Sequence, residues 1–151
     1  MGSKHVKIGT WGGAGGDSKD CRGTPEQLIR IKITVGYNDE CIRSISFYYS
    51  ATDGNMYEEG PWGSSDGQER KVDLGYWNSL REISGTTGVA YGSYDVVKSL
   101  KFVTDTAIYG PYGRNEGTPF CISVLDDGRI DGFFGRAGTL LDAIGAYVNP
   151  N

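Results

Sequence analysis

The chain has 151 residues and a formal net charge of -4, with 24 glycines, 5 prolines, 3 cysteines and a single histidine. That length fits one domain, residues 1–151, and a diffuse acidic balance argues against nucleic acid as the main partner. No apolar run approaches the length of a membrane span, and the charged start of the chain is followed by no hydrophobic segment of the kind that makes a secretory signal.

Glycine punctuates runs of Val, Ile, Tyr and Phe, which predicts an all-β fold with many turns. Residues 6–11 alternate weakly and end in Gly12-Gly13-Ala14-Gly15-Gly16, a loop whose main chain is bare to whatever approaches it. Residues 17–27 are polar and irregular. Residues 29–35 alternate apolar and polar, the period of a half-buried strand. A turn at 36–40, a strand at 42–49, a hairpin signal at Asp53-Gly54-Asn55 and a run over 56–62 complete the first cycle.

The second cycle predicts strands at 70–74, 80–84 and 96–104, with a glycine turn at Gly85-Thr86-Thr87-Gly88 and a closing Tyr109-Gly110-Pro111-Tyr112-Gly113. A helix over 94–100 is the weaker reading there, because Val96 and Val97 are β-branched. The third cycle runs through 119–125, the turn Asp126-Asp127-Gly128, then 129–134, a sharp turn at 135–138 and a strand over 140–148.

These cycles resemble one another. Trp11-Gly12, Trp62-Gly63 and Tyr112-Gly113 recur roughly fifty residues apart. Arg43-Ser44-Ile45-Ser46-Phe47, Lys98-Ser99-Leu100-Lys101-Phe102 and Asp142-Ala143-Ile144-Gly145-Ala146 share a strand pattern. The first copy is split, since its aromatic-glycine strand opens the chain. The first strand then pairs with the last. The implied architecture is a threefold prism of three four-stranded antiparallel sheets.

One loop stands out. Gly138-x-x-x-Asp142 brings glycine amides next to a fixed double acceptor, a combination suited to a small polyhydroxylated ligand. The spacing alone is no evidence. Chance gives about two Gly-x-x-x-Asp matches in such a chain, and three occur, at Gly13 to Asp17, Gly16 to Asp20 and Gly138 to Asp142. The third is raised by its place beside the Gly12 to Gly16 loop. Lined up by spacing from their glycines, the other copies carry Glu40 and Val89 where this loop has Asp142.

Enzyme chemistry finds little support. His5, the lone histidine, sits in a segment expected to fray, so no Ser-His-Asp or Cys-His triad is expected. Asp126 and Asp127 are explained by their Asp-Gly turn. The glycine loop follows a strand but opens no helix, so it is no dinucleotide fingerprint. Cys21, Cys41 and Cys121 have no zinc-ligand spacing, and neither metal nor cofactor is expected. Free thiols fit a reducing cytoplasm or nucleus.

Residues 7–16, Gly60-Pro61-Trp62-Gly63, Gly110-Pro111-Tyr112-Gly113, Gly117-Thr118-Pro119-Phe120 and the block 132–147 together resemble the jacalin-related lectins of plants. The resemblance implies the β-prism I fold with pseudo-threefold symmetry, and a sugar-binding function without catalysis. The glycine loop is continuous with residues 4–11, and no aromatic stands at Thr139, Leu140, Leu141 or Thr86. Those features resemble the uncut, mannose/glucose-specific, nucleocytoplasmic branch. A galactose-preferring lectin, or a protein-interaction module with a vestigial sugar site, is the alternative.

Carried over by position, Asp142 would accept bonds from two sugar hydroxyls, while Gly16, Thr139 and Leu140 would donate backbone N–H groups. Gly15, Gly138 and Leu141 would support them. Relatives carry a second such loop in the first copy. Here Gly36, Asn38 and Glu40 stand there as a weaker second site. Implied partners are mannose- and glucose-type glycans and glycoproteins, bound by a homodimer or higher oligomer.

Overall fold

The computed structural model describes residues 5–38, 40–92 and 94–150. The stretch 1–4, part of the charged start read above for a leader, and Asp39 of the 36–40 turn lie outside them. The described residues form twelve strands and no helix. They are β1 (Val6–Gly12), β2 (Asp17–Lys19), β3 (Pro25–Val35), β4 (Ile42–Ala51), β5 (Met56–Gly63), β6 (Gln68–Asp73), β7 (Leu80–Ala90), β8 (Tyr94–Thr104), β9 (Ile108–Gly113), β10 (Thr118–Ser123), β11 (Arg129–Ala137) and β12 (Leu141–Asn149).

The ladders are antiparallel throughout. β5-β4-β3-β6 is one sheet. The other eight strands form a second sheet, in which β1-β12-β11 with β2 and β9-β8-β7 with β10 are joined through β11 and β7. Three separate four-stranded sheets were expected from the repeat. The join rests on one residue pair, Ile130 opposite Leu80. It exists because the two central hairpins approach closely enough there to share a ladder position.

The internal repeat is written into the strand register. Gly12 faces Ala143, Gly63 faces Ser44 and Gly113 faces Ser99. The next amide along then donates to the strand partner: Gly13 to the Asp142 carbonyl at 2.9 Å, Ser64 to Arg43 at 3.2 Å and Arg114 to Lys98 at 2.9 Å. Asp142, Arg43 and Lys98 therefore occupy equivalent positions. This corrects the alignment by glycine spacing, which set Asp142 against Glu40 and Val89.

Other expectations change for equally local reasons. Gly85 and Gly88 lie inside β7 rather than in a turn. A Cβ at Gly85 would come 2.0 Å from the Ser99 carbonyl oxygen, so glycine here marks a close backbone approach. The hairpin turn instead falls at Tyr91-Gly92, where both residues have positive φ. Gly135 likewise lies within β11, and its turn falls at 138–140. Residues 17–19, read as irregular, form β2, whose backbone pairs with β11 without needing an apolar pattern. Residues 94–100 are strand, as β-branching favoured.

Apolar side chains from all three hairpins meet in one core. Ile31, Ile33, Ile45, Leu100 and Phe102 are almost wholly buried there. Phe47 sits edge-to-face with both Trp62 and Phe133, at centroid distances of 5.2 and 5.1 Å. Such pairs add about 0.5–1.5 kcal/mol beyond area burial. Glu59 is buried in this setting and is satisfied by the Tyr49 hydroxyl at 2.7 Å and the Arg22 amide at 2.8 Å. A smaller cluster of Cys41, Ala90, Val96 and Leu140 closes the end of the molecule where the β3–β4, β7–β8 and β11–β12 turns lie.

His5 does not stand free. Its Nε2 lies 2.9 Å from the Asp131 carboxylate, with both side chains almost fully buried. Asp131 also accepts from Arg129 Nε at 2.8 Å. Burial pushes the Asp131 carboxyl above its ordinary range, and the bonds from His5 and Arg129 oppose it. The pair fastens the start of β1 to β11. The pair is a clasp between the two ends of the chain, and among the described residues His5 Nδ1 is buried with no hydrogen-bond partner.

Candidate carbohydrate site

The site is built where one hairpin tip meets a crossing loop. β1 pairs with β12 on one flank of the β11–β12 hairpin, and β2 pairs with β11 on the other. The chain from β1 to β2 must therefore cross the hairpin tip, and residues 13–16 make that crossing. Only glycine fits the closest points. A Cβ on Gly16 would lie 2.4 Å from the Ala137 carbonyl carbon and 2.6 Å from Asp142 Oδ2. One on Gly15 would lie 2.9 Å from Asp142 Oδ1.

Asp142 is the second residue of β12 and is only 7% exposed. Burial pushes its carboxyl above the ordinary carboxylate range, while the Gly138 amide and the Arg136 charge pull it back. Among the described residues, no side chain hydrogen-bonds it. Arg136 is occupied elsewhere: its Nε donates to the Gly15 carbonyl at 3.1 Å and its Nη2 to the Gly16 carbonyl at 2.8 Å. This guanidinium holds the crossing loop over the carboxylate.

The tip itself is tight. The Gly138 amide donates to the Leu140 carbonyl at 3.1 Å, and the Thr139 carbonyl accepts from Ser64 at 3.1 Å. The Leu140 side chain is buried against the end of the molecule, so only its main chain faces outward. Leu141 is fully buried and anchors the turn from below. Among the described residues, no hydrogen bond takes the amides of Gly16, Thr139 or Leu140. A carboxylate with open lone pairs thus faces three free peptide donors. Hydroxyl groups, which both donate and accept, complement that set.

A cavity of about 380 Å³ opens here, lined by Gly15, Gly16, Gly138, Thr139, Leu140 and Asp142, and by Arg43, Tyr91 and Tyr94. All four predicted contact residues line it, with two of the three supporting ones. Leu141 lies beneath.

A second hollow of about 430 Å³ lies over β7 and β10 near Thr86 and Phe120. Several of its polar groups pair with one another: Thr86 Oγ1 and Ser99 Oγ are 2.7 Å apart, and Ser99 donates to Asn115 at 3.2 Å. The first cavity is the one that holds a carboxylate.

A jacalin-like lectin domain model matches residues 8–147. The chain belongs to that family. Horcolin of Hordeum vulgare subsp. vulgare is 42% identical over 149 residues, covering 98% of this chain and 99% of horcolin. The structure of AcmJRL, a mannose binding jacalin related lectin from Ananas comosus, superposes with a TM-score of 0.89 at 37% identity over 97% of this chain and 99% of that one. A mannose-specific jacalin-related lectin from Morus nigra, solved in complex with mannose, gives a TM-score of 0.81 at 32% identity, covering 98% of this chain and 96% of that one.

In this jacalin-like lectin, the predicted second site is arranged differently. Glu40 lies 3.6 Å from Arg114 and is only partly exposed, so its carboxylate is engaged. The Asn38 carboxamide accepts from the Glu40 amide at 3.2 Å. The Gly36 amide donates to the Cys41 carbonyl at 3.2 Å. None of the three lines the cavity around Asp142.

Reading the sequence alone missed Arg43, Tyr91, Tyr94 and Arg136. The alignment of Arg43 with Asp142 was visible in the repeat, and that was the one signal for any of them. The tyrosines and Arg136 come together only through the meeting of separate hairpins.

Proposed function

We propose that this jacalin-like lectin binds the terminal mannose or glucose of a glycan in the cradle between residues 15–16 and 138–142. The observation that carries this reading is Asp142, a buried carboxylate without a side-chain partner, set opposite the unspent amides of Gly16, Thr139 and Leu140. Two sugar hydroxyls donate to Asp142, and the three amides donate to sugar oxygens. The mannose-binding relatives from Ananas comosus and Morus nigra support the choice of sugar.

The whole chain is read as one lectin domain whose twelve strands make three four-stranded units around a pseudo-threefold axis. Support comes from the threefold register and from the single-pair join at Ile130 and Leu80. A shallow one-sugar site of this kind binds with a dissociation constant on the order of 1 mM, about -4 kcal/mol. Useful avidity then needs several sites, which favours a homodimer or higher oligomer acting on glycoproteins. The three free cysteines favour work in the reducing cytoplasm or nucleus.

A glycan array run with the wild-type chain and with Asp142→Asn tests this reading. The wild type is expected to retain mannose-terminated glycans, with or without chelator, and to be displaced by methyl α-mannoside rather than galactose. Unchanged array binding by Asp142→Asn overturns the site, and displacement by galactose alone overturns the sugar.

A further inference from the structure

Arg43 lines the same cavity as Asp142 and occupies the equivalent place in its own hairpin. Among the described residues, Tyr91 is the side chain that engages its guanidinium. Its Nη2 donates to the Tyr91 hydroxyl at 3.1 Å, and its guanidinium lies 5.8 Å from the centre of the Tyr91 ring. Its Nε is buried and has no acceptor. Among the described residues it has no ion pair, as is also true of Arg70 and Arg136, but of these three only Arg43 lines the cavity. Neither Asp142 nor Glu40 lies within ion-pair distance of it, and Glu40 pairs with Arg114 instead.

Tyr91 holds the guanidinium in place. It sits at φ 51°, a left-handed conformation that is strained for a residue with a Cβ. Arg43 both stacks on it and bonds its hydroxyl, tying β4 to the β7–β8 turn. A buried N–H without an acceptor also costs stability. The buried Nε fixes the side chain, and the outer nitrogens of the guanidinium, at the cavity, are the ones an acceptor from outside can reach. Its planar fork suits an oxyanion with two oxygens to offer.

We propose that Arg43 forms an anion subsite next to the Asp142 cradle, taking the oxyanion of an acidic second residue in an oligosaccharide whose terminal sugar sits on Asp142. This rests on the sugar-binding reading above and narrows its ligand to acidic glycans. The acid must be on the neighbouring residue, because an anion on the terminal sugar would face the Asp142 carboxylate. A uronate carboxylate and a sulfate ester offer the same chemistry.

Three disaccharides separate the cases by calorimetry: mannose joined to glucose, mannose joined to glucuronic acid, and mannose joined to glucose bearing a sulfate ester. The full chain is expected to bind at least one acidic disaccharide roughly tenfold more tightly than the neutral one at low ionic strength. High salt is expected to reduce that ratio. The ratio within each protein is the readout, so the neutral disaccharide also reports on folding. Arg43→Gln is expected to bring the ratio to one, and Arg43→Lys to recover part of it.

Which acid gains identifies the source of the oxyanion. A wild-type ratio of one, with the neutral disaccharide still bound, overturns the subsite and leaves the sugar reading standing. A ratio that survives in Arg43→Gln overturns it as well. If none of the three disaccharides binds, the sugar reading falls and takes the subsite with it.

Discussion

Two hairpin ends of this molecule share a backbone and differ in chemistry. At the β11–β12 end, the position just before the residue that faces the aromatic-glycine pair carries Asp142, and the crossing loop is Gly13-Ala14-Gly15-Gly16. At the β3–β4 end, the same position carries Arg43, and the crossing loop is Ser64-Ser65-Asp66-Gly67. In the first, glycines leave the carboxylate accessible and arginine serves the loop from behind. In the second, the nearby carboxylate of Glu40 is drawn to Arg114. A repeated scaffold supplies the place for a site, and the side chain at one register position decides what that place binds.

The largest expected effect comes from removing the carboxylate. Asp142→Asn is expected to cost on the order of 2–3 kcal/mol of binding, about 30- to 150-fold, and to take a millimolar site beyond detection by calorimetry. Its stability is expected to move the other way. Burial raises the folded-state pKa of Asp142, so above the unfolded value the folded chain holds a charge it disfavours. Thermal melts should find Asp142→Asn at least as stable as the wild type at neutral pH.

The same raised pKa predicts how pH acts on the two properties. Sugar binding needs the carboxylate ionised. Affinity measured across the acid range should fall as pH drops, with a midpoint above the ordinary aspartate value of 3.8. Asp142's own contribution to stability has the opposite sign: protonation relieves the buried charge, so this group opposes folding less as pH falls. Asp105 runs against it. The Arg81 bond at 2.6 Å holds its carboxyl below the usual range, so its stabilisation is present above the unfolded pKa and is lost as pH falls through the depressed value.

Filling the crossing loop is expected to act next. Gly15 does not adopt positive φ, and the atoms nearest to its added Cβ belong to the Asp142 carboxylate, with Oδ1 at 2.9 Å, a side-chain end rather than backbone. Gly15→Ala should therefore weaken mannoside binding about tenfold while shifting the melting temperature little. Gly16→Ala combines φ 66° with a backbone collision at 2.4 Å, and should lose stability together with binding. Comparing titrations and melts of the two variants separates blocking of the cradle from collapse of the loop.

Smaller effects lie at the supports. Arg136→Gln removes two bonds to the crossing loop and should weaken binding about threefold to tenfold, by roughly 1 kcal/mol of lost anchoring. Glu40→Gln breaks only a partly exposed ion pair, so its effect on stability should stay within about 1 kcal/mol. Calorimetry should also return the same stoichiometry, one site per chain, for Glu40→Gln and wild type. A halved stoichiometry would erase the contrast between the two ends.

Much of this was legible without coordinates. The alternation at 29–35, the glycine punctuation and the recurring aromatic-glycine pairs point to an all-β repeat, because side-chain period and turn chemistry are local properties. Gly15, Gly16, Gly138 and Asp142 could be assembled because the split repeat implies that β1 lies beside β12. One kind of misreading recurred. Gly85, Gly88 and Gly135 were read as turns, since a sequence does not distinguish a glycine that bends the chain from one that lets a neighbouring strand come close.

The sequence by itself determined the strand content, the threefold repeat and the one loop with a carboxylate at the right place. Only the tertiary structure decided which groups share that cavity. Arg43, Tyr91 and Tyr94 reach it because three hairpin tips converge at one end, and Arg136 serves it from behind the crossing loop. Register also decided between the two alignments the repeat offered, making Arg43 and Lys98, from the shared strand pattern, the counterparts of Asp142 rather than Glu40 and Val89. Such pairings are set by long-range ladders and bulges, which no local pattern along the chain encodes.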